Sequence, residues 1–105
     1  MNLEERLRNT FPKIDSVMAW YLSQVVFCLK RYVGINESEA FVKMVADKRF
    51  KYLVETHPDA IERETGYYWA MYLVHGPQWW NKDPNLVKQH VEYIREYHDP
   101  PTIES

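Results

Sequence analysis

Cysteine and glycine are scarce in this chain of 105 residues, which has one Cys and three Gly. One cysteine cannot build a disulfide framework within the chain. Cys28, set in Val25-Val26-Phe27-Cys28-Leu29, reads as a buried structural thiol, because a mid-helix position among aliphatic side chains offers nothing to stabilise a thiolate. Three scattered glycines supply no phosphate-cradling loop. No stretch approaches the ~20 apolar residues of a membrane span. The charged start Met1-Asn2-Leu3-Glu4-Glu5-Arg6 lacks the apolar core of a secretory signal, so the expected location is cytoplasmic, with no membrane partner. Neither sign of charge is in excess: 13 basic and 15 acidic residues give a net charge of −2. A role on nucleic acid would therefore need a local basic patch. Period-two alternation and Asn-Gly or Asp-Gly hairpin turns are also missing, which argues against strands.

What the chain has is aromatic rings and helical periodicity. Four Trp, eight Tyr and four Phe stand against those three glycines. The spacing predicts a compact all-α bundle of four to five helices in one domain over 1–105, with a loose N-terminal segment 1–12 and a loose tail 99–105. The central helix is expected over 14–33, with Asp15 or Ser16 at its start and Gly34 just past its end. Asn36 and Glu39 form a capping-box pattern that starts the next helix at Glu37. The stretch Asp47-Lys48-Arg49 either breaks or kinks that helix before 49–55. Thr56-His57-Pro58-Asp59 opens a helix expected to reach His75, with Gly66 explained by close packing inside it. Asp83-Pro84 opens a last helix whose inward line is Leu86, His90, Ile94 and Tyr97, stopped by Asp99-Pro100-Pro101.

Chemistry is sought first among the titratable residues. His57, His75, His90 and His98 contain no pair four apart on a helix, the spacing a catalytic zinc site uses, and no paired Glu-x-x-His motifs occur. Glu55, Asp59, Glu62 and Glu64 sit where the helix dipole already favours acidic side chains, so they read as a solvated face. No catalytic, cofactor-binding or metal-binding residue is assigned, no cofactor is expected, and the chain does not read as an enzyme.

Two binding readings remain. The tandem Trp79-Trp80 lies between a helix-stopping Gly76-Pro77 and a helix-starting Asp83-Pro84. No regular element buries two adjacent rings against one surface, so one ring is expected to seal the gap between the last two helices and the other to face a partner. Trp69 or Tyr68, together with Tyr72, is expected in the core. The expected partner face is Trp79, Trp80, Gln78 and Tyr67, contacting another protein or a second copy. The alternative is a helical DNA-binding regulator using Lys43, Lys48, Arg49 and Lys51, disfavoured because the helix after Gly34 opens with Glu37-Ser38-Glu39, which repels phosphate.

The run Phe27-Cys28-Leu29-Lys30-Arg31-Tyr32, then Gly34 to Phe41, Tyr52-Leu53-Val54 and Asp59 to Tyr68, resembles a family of small helical bacterial proteins of unknown function often encoded beside ADP-ribosyltransferase-like toxins. The resemblance spans about residues 20–74. It departs at Ile61-Glu62-Arg63-Glu64, where the family carries a Leu-His-Thr-Gln-like stretch, and has no counterpart of the Trp79-Trp80 segment, so no functional residue is carried over. It implies a small regulatory or antitoxin-like partner protein.

Overall fold

The computed structural model describes residues 2–96 and is all-α, with no strand among them. It contains α1 (Leu3–Thr10), α2 (Ser16–Cys28), α3 (Glu37–Ala46), α4 (Lys48–Thr56), α5 (Pro58–Glu62), α6 (Gly66–His75) and α7 (Pro84–Glu96). A π turn (Leu29–Val33) extends α2, and a single 3-10 turn (Trp79–Asn81) precedes α7. Tyr97, His98 and the tail 99–105 lie outside the described residues.

The described residues form seven helices in place of the expected four to five, for two local reasons. The N-terminal segment is not loose. Asn2 Oδ1 accepts the Glu5 amide at 2.8 Å and caps α1, while Leu7 and Phe11 are fully buried. Arg6 pairs with Glu37 and lies over the Phe41 ring, 4.5 Å from its centroid, which ties α1 to α3. The second reason is that the helix expected from Pro58 to His75 breaks before Gly66. Thr65 Oγ1 accepts the Tyr68 amide at 3.0 Å, so Thr65 caps a new helix and Gly66 becomes its first residue. The polar side chain satisfies an amide that a helix start would otherwise leave unpaired, and this beats continuation through a glycine.

Asp47 settles the 37–55 segment as two helices. Its extended backbone ends α3, and its Oδ1 accepts the Phe50 amide at 2.9 Å to start α4. The Tyr72 hydroxyl donates to the same Asp47 oxygen at 3.2 Å, fastening the corner to α6. The Asn36–Glu39 capping box forms with both bonds made, at 2.8 and 3.1 Å.

The central helix is α2, packed against α1, α3, α5 and α6. Its closest partner is α6. A Cβ placed on Gly66 would stand 2.5 Å from Gln24 Cβ and 2.9 Å from the Gln24 carbonyl carbon. No residue larger than glycine fits that crossing without moving a helix. On α7 the inward face is Leu86, Gln89, His90 and Tyr93, and Ile94, expected inside, is exposed together with Val87 and Val91.

Candidate functional site

The tandem tryptophans are positioned by a chain reversal after α6. Gly76 takes φ 85° and Gln78 takes φ 59°, both in the left-handed region. Lys82 Nζ donates to the His75 carbonyl and ties the far side of the loop to the end of α6. The short 3-10 turn that follows sends the two indoles to opposite environments.

Trp79 is 2% exposed and is a core residue. Its ring meets Tyr67 edge-on at 5.6 Å, Tyr68 at 5.8 Å and His90 at 5.6 Å. It seals the gap between α6 and α7, so its place in the expected partner face is corrected. Its Nε1 is buried with no hydrogen-bond partner among the described residues, a defect of about 1–3 kcal/mol, which ring burial outweighs.

Tyr67 was expected at the rim and is fully buried. The physical reason is its hydroxyl. It reaches α7, donating to Gln89 Oε1 at 2.8 Å and to the Leu86 carbonyl at 3.0 Å. His90 stacks on the Tyr67 ring at 5.0 Å and 14° and joins Thr65 Oγ1 through Nε2 at 2.7 Å. Tyr93 completes the layer, its hydroxyl donating to Gln24 Oε1 at 2.9 Å. Burial raises the Tyr67 phenol pKa and lowers that of the His90 imidazole. A tyrosine beside Gly66 thus serves as a hydrogen-bonded seam between helices, a role that residue type and spacing did not announce.

Trp80 is the free ring, 42% exposed. It stacks on Tyr68 at 5.9 Å and 26° and meets Trp79 edge-on at 5.7 Å, so the ring is held rather than swinging. Gln78 is exposed at the same turn. The face that remains is Trp80, Gln78 and the half-buried Tyr68. The expectation of Trp69 or Tyr68 in the core together with Tyr72 is met by Trp69 and Tyr72, both buried, which leaves Tyr68 half-buried at the surface.

The basic residues are distributed differently from a DNA-reading helix. Lys43 is half-buried on α3, while Lys48, Arg49 and Lys51 occupy the first turn of α4. Asp47 alone joins the two helices, whereas a helix-turn-helix uses a turn of about three to four residues. The Arg49 guanidinium lies 5.9 Å from the Tyr72 ring centroid.

Cys28 is fully buried. Desolvation pushes its thiol up to about 12, against smaller opposing effects of a Tyr93 hydrogen bond and the Arg31 charge, so no thiolate is available for chemistry near neutral pH. No group of three His, Cys, Asp or Glu side chains among the described residues could hold a metal ion. No helix among them is long and apolar enough to cross a membrane. Compared with family models, curated proteins and solved structures, the chain matches none.

Proposed function

We propose that the protein is a small interaction domain that binds a protein partner through Trp80, Gln78 and Tyr68. The observation that carries this reading is the division of labour between the tandem rings. Of the two rings, only Trp79 enters the α6–α7 gap, which leaves Trp80 42% exposed yet pinned by stacking on Tyr68. A free Trp side chain presents on the order of 250 Å², so a partner covering the exposed share removes about 100 Å² from water, worth about 2.5 kcal/mol. That is the size of an interface hot spot, and a pre-ordered ring loses little entropy on binding. The sequence resemblance implies a regulatory, antitoxin-like partner protein, but it has no counterpart of the Trp79-Trp80 segment and so bears on the role and not on this face.

The test is co-purification from the native host with Trp80→Ala beside wild type. A partner enriched by wild type should be lost from the Trp80→Ala eluate while the variant's circular dichroism and melting curve stay close to wild type. Recovery of the same partners in equal yield places the binding face elsewhere. The DNA-binding alternative gains no support from the α3–α4 geometry.

A further inference from the structure

A cleft of about 520 Å³ opens between the 11–15 turn and the α4–α5 corner and shares no residue with the Trp80 face. Its floor is apolar and contributed by three parts of the fold: Phe11 and Ile14 from the turn, Met18 from α2 and Val54 from α4, all buried. Its walls are braced. Arg8 donates to the Ile14 carbonyl at 3.0 Å and to Ser16 Oγ at 3.3 Å, fixing the turn. The Tyr21 hydroxyl donates to the Glu62 carbonyl at 3.0 Å and holds α5 against α2. A cleft shaped before binding does not need to be ordered by its ligand.

The rim carries charges of both signs. Lys13, Asp15 and Glu55 all border the opening. No ion pair joins Lys13 to either carboxylate, and neither the Lys13 nor the Glu55 side chain makes a hydrogen bond or ion pair among the described residues. Asp15 spends one oxygen on the Met18 amide at 2.8 Å. The Asp15 side is electronegative: the Glu62 carboxyl is raised first by desolvation and then by Asp15 and Asp59. Opposite charges thus flank an apolar floor without neutralising each other.

We infer that this cleft binds a free amino acid with an apolar side chain, placing that side chain on the floor, its ammonium at Asp15 and Glu55 and its carboxylate at Lys13. The volume lies within the range of about 300–1,000 Å³ typical of small-molecule sites and leaves room for ordered water beside so small a ligand. A simple amine would leave Lys13 unmatched, and a simple acid would leave the two carboxylates unmatched. A peptide terminus carries only one of the two charges.

The experiment follows backbone amide shifts of the full chain during titration with L-phenylalanine and L-leucine, beside phenethylamine, 3-phenylpropionate and N-acetylphenylalanine amide. Saturable shifts at 11–15 and 54–56 are expected for both amino acids. Each analogue lacking one or both charges should bind about tenfold more weakly or worse, the loss of one good charged contact. Lys13→Met, Glu55→Gln and Asp15→Asn should each weaken L-phenylalanine several-fold. Asn is as good a helix cap as Asp, so the Asp15→Asn loss reports the charge and not the fold. Three results overturn the assignment: no saturation by either amino acid up to about 50 mM, below which even a ligand weaker than millimolar would register; phenethylamine or phenylpropionate binding as well as L-phenylalanine; or all three variants binding like wild type.

Discussion

Replacing Gly66 by Ala separates a sequence argument from a structural one by the sign of the effect. Gly66 is the first residue of α6 and its backbone is not in the left-handed region. Helix propensity alone therefore predicts a gain of up to about 1 kcal/mol, because alanine loses less backbone entropy on folding. The packing predicts a loss. The new methyl would sit 2.5 Å from Gln24 Cβ, 2.9 Å from the Gln24 carbonyl carbon and 3.1 Å from the Val25 nitrogen. Two of those atoms are backbone in the central helix, so no rotamer change relieves the clash and α6 must shift away from α2. Overpacking of this kind costs about 1–3 kcal/mol, more where backbone must move.

The expected net is a destabilisation of about 2 kcal/mol, or a melting temperature lower by roughly 10 °C in a domain of this size. Urea unfolding at an unchanged m-value is the assay. Gly34→Ala is the control. Nothing lies within 4 Å of that Cβ, but φ is 85° there, so its cost should be the left-handed penalty of about 1–2 kcal/mol with no packing component. A Gly66→Ala protein as stable as wild type or more so would refute the close α2–α6 crossing.

Trp79→Ala should lower stability by about 3–5 kcal/mol, the usual cost of removing a core aromatic ring, while Trp80→Ala lowers it by no more than about 1 kcal/mol; equal effects in urea titrations would show that the two rings had been assigned to the wrong environments. Tyr67→Phe leaves Gln89 Oε1 without its hydroxyl donor and takes a second donor from the Leu86 carbonyl, so a loss of about 1–3 kcal/mol is expected, and a neutral result would mean that water replaces the hydroxyl. Burial holds the His90 imidazole below its ordinary 6.5, so the unfolded chain binds that proton more readily than the folded one. The stability that neutral His90 supports is therefore complete above pH 6.5 and is lost as pH falls through the folded value. Melting curves between pH 7.5 and 5.5 should show wild type losing stability and His90→Gln losing less of it, and parallel profiles would remove His90 as the cause.

The parts of this fold that were legible in the sequence are those fixed within four residues. Asp15 and Asn36 each cap a helix through their own side chain and an amide three positions on, and such a bond needs no knowledge of the rest of the molecule; Asp47 caps α4 in the same way, but the polar run it opens left a break and a kink equally open. Thr65 uses the same device, yet it lay inside an apolar periodicity that ran on from Ile61 to Tyr72, and the stronger pattern hid the cap. The docking of α1 was illegible for the opposite reason: a short helix is marginal alone, and its order comes from Leu7, Phe11 and the Arg6–Glu37 pair across the fold.

The last helix shows where periodicity stops deciding. On α7, Leu86, His90 and Tyr93 form one line at helical spacing, and Val87, Val91 and Ile94 form another, one position on. By hydrophobicity the valine and isoleucine line should win the core. It does not, because the first line carries the hydrogen bonds that α2 and α6 require: Tyr67 to the Leu86 carbonyl and Gln89, Thr65 to His90, and Gln24 to Tyr93. Burying the aliphatic line instead would strand the Tyr67 hydroxyl and Gln24 amide inside without partners, and a buried polar group left unpaired costs more than a half-covered valine returns. The same competition explains the tandem tryptophans, since the ring that completes the Tyr67–His90 layer is the one taken into the core. Polar complementarity between distant residues chose which apolar side chains are inside, and by that choice it also left Trp80 outside.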